Sequence, residues 1–146
     1  MRKTEVPFAL AEFLPYRMAV AAERLSAGMA KHYREEFGIS VAEWRVLVHV
    51  ADAGSVSIRE IHERVHLEKS KASRAATRLE TRGYLSKDVN ADDRRLIVLT
   101  LTDEGWALME KLIAIASKYQ ARLDALIAPD LEALHRSLDV LMSEDL

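Results

Sequence analysis

The densest chemistry in the chain lies between Lys69 and Arg82, where Lys69, Lys71, Arg74, Arg78 and Arg82 stand against Glu80 alone, a local charge of +4. Cations at these spacings, with the hydroxyls of Ser70, Ser73 and Thr77 among them, suit neutralisation of phosphates and hydrogen bonding to base edges, guanine above all. The rest of the chain makes this cluster stand out. Residues 1–57 carry seven Lys/Arg against seven Asp/Glu, residues 58–95 ten against seven, and residues 103–146 four against nine, for a net charge of −2 overall. A basic face alone is more often a solvated amphipathic helix than a binding surface, so its neighbours have to decide. A second basic group, Arg94 and Arg95 behind Asp93, follows in a polar stretch.

Other chemistries have weaker support. His62-Glu63-Arg64-Val65-His66 matches H-E-x-x-H, in which helical histidines four apart bind zinc and the glutamate is a general base. A zinc metallohydrolase would leave the basic face unused, and no third ligand is evident downstream. His32 and His49 could line an effector cavity or a regulatory metal site, although lone helical histidines are more often ordinary packed or surface residues. The chain has no cysteine, which excludes disulfides, thiolate nucleophiles and cysteine-bound zinc. No serine sits in a G-x-S-x-G elbow and there is no Gly-rich phosphate loop, so no catalytic residue, metal or cofactor is expected. No apolar run approaches the roughly 18 residues of a membrane span, and residues 1–7 lead to a segment broken by Arg17 instead of an apolar signal core. A cytoplasmic protein without a membrane partner is expected.

The elements that must position the basic residues are mostly helical. A first helix is expected over 15–37, with Pro15 in its first turn, Gly38 at its end, and Met18, Ala21, Ala22, Leu25, Met29 and Tyr33 along one stripe. Ser40 and Glu43 form a capping box that opens a helix to about Ala51, and Ser57 with Glu60 repeats the pattern before a short helix to about Val65. Residues 69–82 then separate cleanly by angle. With Ser70 at zero, Lys71, Ser73, Arg74, Thr77 and Arg78 fall at about 100°, 300°, 40°, 340° and 80°, and Ala72, Ala75, Ala76 and Leu79 between about 140° and 240°. Gly83 ends that helix. The one strong β signal is the pair 84–89 and 96–101, joined by the polar turn 90–95. Thr102 caps a helix striped by Trp106, Met109, Leu112, Ile113, Ala116 and Tyr119 and continuing toward Leu126. Pro129 opens a last helix bearing Leu131, Leu134, Leu138 and Leu141.

Two short helices followed by a hairpin are the pattern of a winged helix-turn-helix, in which the second helix enters the major groove. The fold expected is mainly α with a small β-hairpin wing. A helical protein-interaction module is the alternative, and it leaves the wing unexplained.

Asp93-Arg94-Arg95 leading through Leu96-Ile97-Val98-Leu99 to Thr100-Leu101-Thr102-Asp103-Glu104-Gly105 resembles the wing signature of the MarR family. Leu14-Pro15-Tyr16-Arg17, Glu43-Trp44-Arg45-Val46-Leu47, Ser73-Arg74, Leu79-Glu80 and Arg82-Gly83-Tyr84 agree with it. Glu68 before Lys69 is less typical, a carboxylate near where phosphates would lie. The resemblance implies a transcriptional regulator binding double-stranded DNA at an inverted-repeat operator, more often a repressor, with Asp93 orienting Arg95 into the minor groove. It further implies small aromatic acids or phenolics as effectors. Lys69, Ser70, Lys71, Ser73, Arg74, Thr77, Arg78, Asp93, Arg94 and Arg95 are the expected DNA contacts. The apolar stripes of the terminal helices exceed what one helix-turn-helix core needs. A single domain over 1–146 is therefore expected, with a DNA-binding lobe at 38–102 and homodimerisation helices at 8–37 and 103–146. A dimer would hold its recognition helices about 34 Å apart.

Overall fold

The computed structural model describes residues 7–146; residues 1–6, read above as part of a start without an apolar signal core, lie outside the described residues. The described residues up to Met109 form one compact unit and Glu110–Leu146 a second. The first unit runs from a 3-10 turn, Leu10–Glu12, through α1 (Leu14–Phe37), α2 (Val41–Ala53), β1 (Ser55–Ser57), α3 (Ile58–Val65), α4 (Lys69–Thr81), β2 (Leu85–Val89) and β3 (Ile97–Leu101) into α5 (Asp103–Ile127). The second holds the rest of α5 and α6 (Leu131–Ser143). This is a mainly helical winged helix-turn-helix, as expected.

The helix boundaries have local chemical causes. Ser40 caps α2 by accepting the amide of Glu43 at 3.1 Å, and Ser57 caps α3 by accepting that of Glu60 at 3.2 Å. At the end of α4, Gly83 takes the left-handed φ of 85°, so its own amide reaches Glu80 O and that of Tyr84 reaches Leu79 O. That pair of bonds satisfies carbonyls that the helix end would otherwise strand. Thr102 caps α5 by accepting the amide of Gly105 at 3.0 Å and donates its hydroxyl proton to Gly83 O at 2.6 Å. The exit of α4 and the start of α5 are thereby tied through one side chain. Gly105 has no room for a side chain there, because a Cβ would overlap the carbonyl oxygen of Tyr84.

The sheet has the order β1-β3-β2 and is antiparallel throughout. β2 and β3 form the expected hairpin, from Leu85 opposite Leu101 to Val89 opposite Ile97. β1 was not expected: three residues are too few to display an alternating pattern, and its pairing of Val56 with Leu99 is a long-range event. Leu85, Leu99 and Val56 face inward with Val46, Leu47, Ile61 and Leu79 as the core. α4 packs on α2, α3 and β2, with Ala72, Ala75, Ala76 and Leu79 all at 0% exposure. Small residues allow that close approach of helix backbones.

Three expectations are corrected. Pro129 does not open α6; it precedes the N-cap Asp130, and the helix begins at Leu131. His66 is not on the α3 helix, being its left-handed C-cap at φ 52°, so His62 and His66 lack the helical i, i+4 geometry of a zinc motif. The capping box at Ser40 closes differently: the Ser40 hydroxyl donates to the Glu43 carboxylate at 2.9 Å. That carboxylate is turned toward two arginines instead of the Ser40 amide.

In the second unit Leu112 is fully buried, whereas Leu126, Leu134, Val140 and Met142 are exposed and α6 has no buried residue. The first unit likewise exposes Phe8, Leu10, Phe13 and Leu14 near its start. No helix among the described residues is long and apolar enough to cross a membrane.

Candidate nucleic-acid interface

The seven α4 residues expected to meet DNA, Lys69, Ser70, Lys71, Ser73, Arg74, Thr77 and Arg78, are all exposed, on the face opposite the buried alanines. The helical period alone assigns both faces correctly. Ionic and hydrogen-bond partners divide that face along its length. Toward the end of α4, Arg78 Nε lies 3.5 Å from Glu43 Oε1, and Thr77 donates its proton to Ser73 O at 3.0 Å and accepts from Lys87 Nζ at 3.2 Å. Lys87 also pairs with Glu80 at 3.7 Å. Toward the start, Lys69, Lys71 and Arg74 have no salt bridge among the described residues. The carboxylate of Glu68 does not stand free there: it accepts the Ser70 hydroxyl at 3.4 Å.

Glu43 is absent from the site residues expected from the sequence, yet it organises the end of the basic face. It is buried at 6% exposure, and its oxygens meet Ser40, Arg78 and, at 3.6 Å, Arg82. Arg82 in turn donates to Gly38 O at 3.1 Å and Phe37 O at 2.9 Å, closing the last carbonyls of α1, and its guanidinium lies 5.2 Å from the Tyr84 ring centroid. One carboxylate and two guanidiniums therefore fix the end of α1, the start of α2 and the end of α4 together. Its local signals were the capping box and the Glu43-Trp44-Arg45-Val46-Leu47 match, and neither points to partners in α4.

The wing tip is built from its own side chains. Asn90 Oδ1 accepts the amides of Asp92 at 2.8 Å and Asp93 at 3.1 Å, which forms the turn. Asp93 Oδ1 then accepts the Arg95 amide at 3.0 Å and Arg95 Nε at 3.1 Å, and Oδ2 accepts Nη2 at 3.4 Å. These bonds from the Arg95 side chain, then from its amide, hold the Asp93 carboxyl below its usual range, with Arg59 adding to the effect. Asp93 thus stays ionised near neutrality and Arg95 is aimed while its side chain remains 87% exposed. Arg94 is exposed beside it.

Elsewhere, a cleft of about 630 Å³ opens between α1 and α2, floored by Ala22, Ala27 and Ala30 and flanked by Lys31, Arg34 and Arg45 together with Glu23 and Glu35. His32 is exposed and does not line it; His49 is half-buried, its pKa lowered by burial and then by Arg64. No group of three or more histidines or carboxylates placed to hold a metal occurs among the described residues.

Residues 37–96 match the family model described as MarR family. The chain is 33% identical over 103 residues to the HTH-type transcriptional repressor MdtR of Bacillus subtilis, covering 69% of this chain and 66% of that protein. For the B. subtilis regulator YwaE the match is 26% over 75% of this chain and 64% of the relative, so the chain spans just under two thirds of each of these two curated relatives. Among solved structures, BpsR of Bordetella bronchiseptica, whose DNA binding is regulated by 6-hydroxynicotinic acid, shares the fold at a TM-score of 0.83 and 21% identity over 96% of this chain and all of that one. The MarR family transcriptional regulator SPO1453 of Silicibacter pomeroyi is 31% identical, with a TM-score of 0.76 over 92% of this chain and 98% of its own. With a wing clamp and helix-turn-helix of this geometry and a relative of that identity matched along almost its full length, the chain belongs to the MarR family.

Proposed function

We propose that the chain is a homodimeric, sequence-specific DNA-binding transcriptional regulator, a repressor released by a small aromatic or phenolic effector, and not an enzyme. The observation that carries this reading is the exposed hydroxyl and basic face of α4 beside the clamped Arg95, two features that match a major groove and its adjoining minor groove. In this reading Lys69, Ser70, Lys71, Ser73, Arg74, Thr77 and Arg78 meet the major groove and its phosphates, and Arg94 and Arg95, ordered by Asp93, meet the minor groove. Residues 38–102 are the DNA-binding lobe of a single domain over 1–146, and 8–37 with 103–146 pair two copies. Exposed Phe8 and Leu10 in the first unit, and exposed Leu126 and Met142 in the second, support that pairing, since large apolar side chains favour burial against a partner. The repressor named for MdtR and the ligand-regulated DNA binding of BpsR support the effector reading. The alanine-floored cleft has the size to take an aromatic acid, with Lys31, Arg34 and Arg45 as cations for its carboxylate and Glu23 and Glu35 also in the lining. Such a protein would act on DNA in the cytoplasm.

Selection of bound sequences from randomised duplex DNA by the purified protein, at one stated salt concentration and without added metal, tests the proposal. Enrichment of an inverted repeat is expected. Weak, salt-sensitive binding without enrichment would overturn it in favour of an interaction module.

A further inference from the structure

One more cation, Arg59, lies outside the ten residues assigned above and shares a cavity with three of them, Lys69, Ser73 and Arg95. A cavity of about 260 Å³ sits between the first turn of α3, the start of α4 and β3, lined by Ile58, Arg59, Lys69, Ser73, Arg95, Leu96 and Ile97. Its polar lining is three cations and one hydroxyl, and no carboxylate lines it. Arg59 and Lys69 are exposed and form no salt bridge among the described residues, in contrast to Arg78 and Arg82 at the end of α4 and Lys87 on β2. The anion that feels Arg59 is Asp93, whose carboxylate is already bonded to Arg95. One carboxylate, Asp93, therefore faces two arginines on this side of α4 and Lys69 has no ion-pair partner, whereas the cations on the other side are paired with Glu43 and Glu80. The volume falls below the roughly 300 to 1,000 Å³ of small-molecule sites, which points to a compact anion instead of an organic effector.

Resting on the DNA-binding reading above, we propose that this cavity seats one backbone phosphate of duplex DNA, with Arg59 and Lys69 as its charged donors and Ser73 as a hydroxyl donor. A helix in the major groove and a wing in the adjoining minor groove straddle a single sugar–phosphate strand. That strand has to pass between α4 and the wing, where this cavity lies. Arg95 frames the seat from the wing side while reaching onward. Arg59 is then a positioning contact that fixes the register of α4 without reading sequence.

The test compares wild type with Arg59→Gln and Arg59→Lys on the selected duplex and on a scrambled one, over about 50 to 200 mM salt. Arg59→Gln is expected to weaken both duplexes by the same factor and to reduce the slope of log K against log salt by about 0.9. Arg59→Lys should recover most of both. Neutralising single phosphates as methylphosphonates should reveal one position per half-site that costs the wild type affinity and leaves Arg59→Gln unaffected. Arg59 is exposed, so an unchanged thermal melt is expected for the variants. Unchanged affinity and slope in Arg59→Gln, while Arg95→Ala loses binding, overturns the phosphate seat and leaves the DNA reading standing. Failure of the wild type to bind either duplex overturns that reading itself. Titration with inorganic phosphate in the absence of DNA separates the sources: binding that Arg59→Gln abolishes, without a change in duplex affinity, assigns the seat to a free anion and overturns the proposal.

Discussion

Arg95→Ala is expected to weaken operator binding by roughly 10- to 100-fold, the range for losing a charge-assisted hydrogen-bonding group at an interface. The size of the effect follows from how Arg95 is held. Its guanidinium and its amide both bond to Asp93, so the side chain is ordered before DNA arrives and little freedom remains to be lost on binding. Asp93 is itself seated in the turn organised by Asn90. With an 87% exposed side chain, Arg95 contributes almost nothing to the core, so its removal should leave folding stability within about 0.5 kcal/mol. Fluorescence anisotropy with the selected duplex, alongside a urea melt, checks both halves. Unchanged affinity would remove the wing from the interface.

Leu79→Ala should have the converse signature, a stability loss of about 2–5 kcal/mol. Leu79 is at 0% exposure on the inner face of α4, where its carbonyl also receives the amide of Tyr84. Truncation leaves a cavity beneath the recognition helix that its neighbours, small alanines at 72, 75 and 76, cannot fill. Urea denaturation should show a lower midpoint at an unchanged m value, and the melting temperature should fall by roughly 2–4 °C per kcal/mol. A loss under about 1 kcal/mol would mean that α4 is not seated on the core in this way.

How much of this was readable in the sequence depends on the range of the interaction. The faces of α4 follow from a fixed angular step between residues, so Ala72, Ala75, Ala76 and Leu79 could be placed inside by arithmetic. The wing could be read because its turn, its arginine and its aspartate are close neighbours. Glu43 could not, because its partners Arg78 and Arg82 are brought to it by tertiary packing of α2 on α4. For the same reason Arg78 looked as free as Arg74, although its guanidinium already has an internal partner. β1 stayed hidden because Ser55, Val56 and Ser57 acquire strand geometry only through β3. Local pattern overstated one site: His62-Glu63-Arg64-Val65-His66 has the letters of a zinc helix, yet the backbone turns left-handed at His66 and the helix stops. Neither the cleft between α1 and α2 nor the basic cavity beside Arg59 has a fixed spacing, since each is lined from separate elements.

In the proposed regulator α4 is expected to read bases, on two half-sites, from the side where its cations have no salt-bridge partner among the described residues. Arg74 lies on that side, exposed and outside the salt bridges of the described residues. Repeating the selection from randomised duplexes with Arg74→Ala should return the same inverted repeat, with preference relaxed at one base pair in each half-site, symmetrically, and affinity lowered by about 1–3 kcal/mol. An unchanged sequence preference at unchanged affinity would contradict base reading by this face, and a uniform loss on all sequences would make Arg74 a phosphate contact.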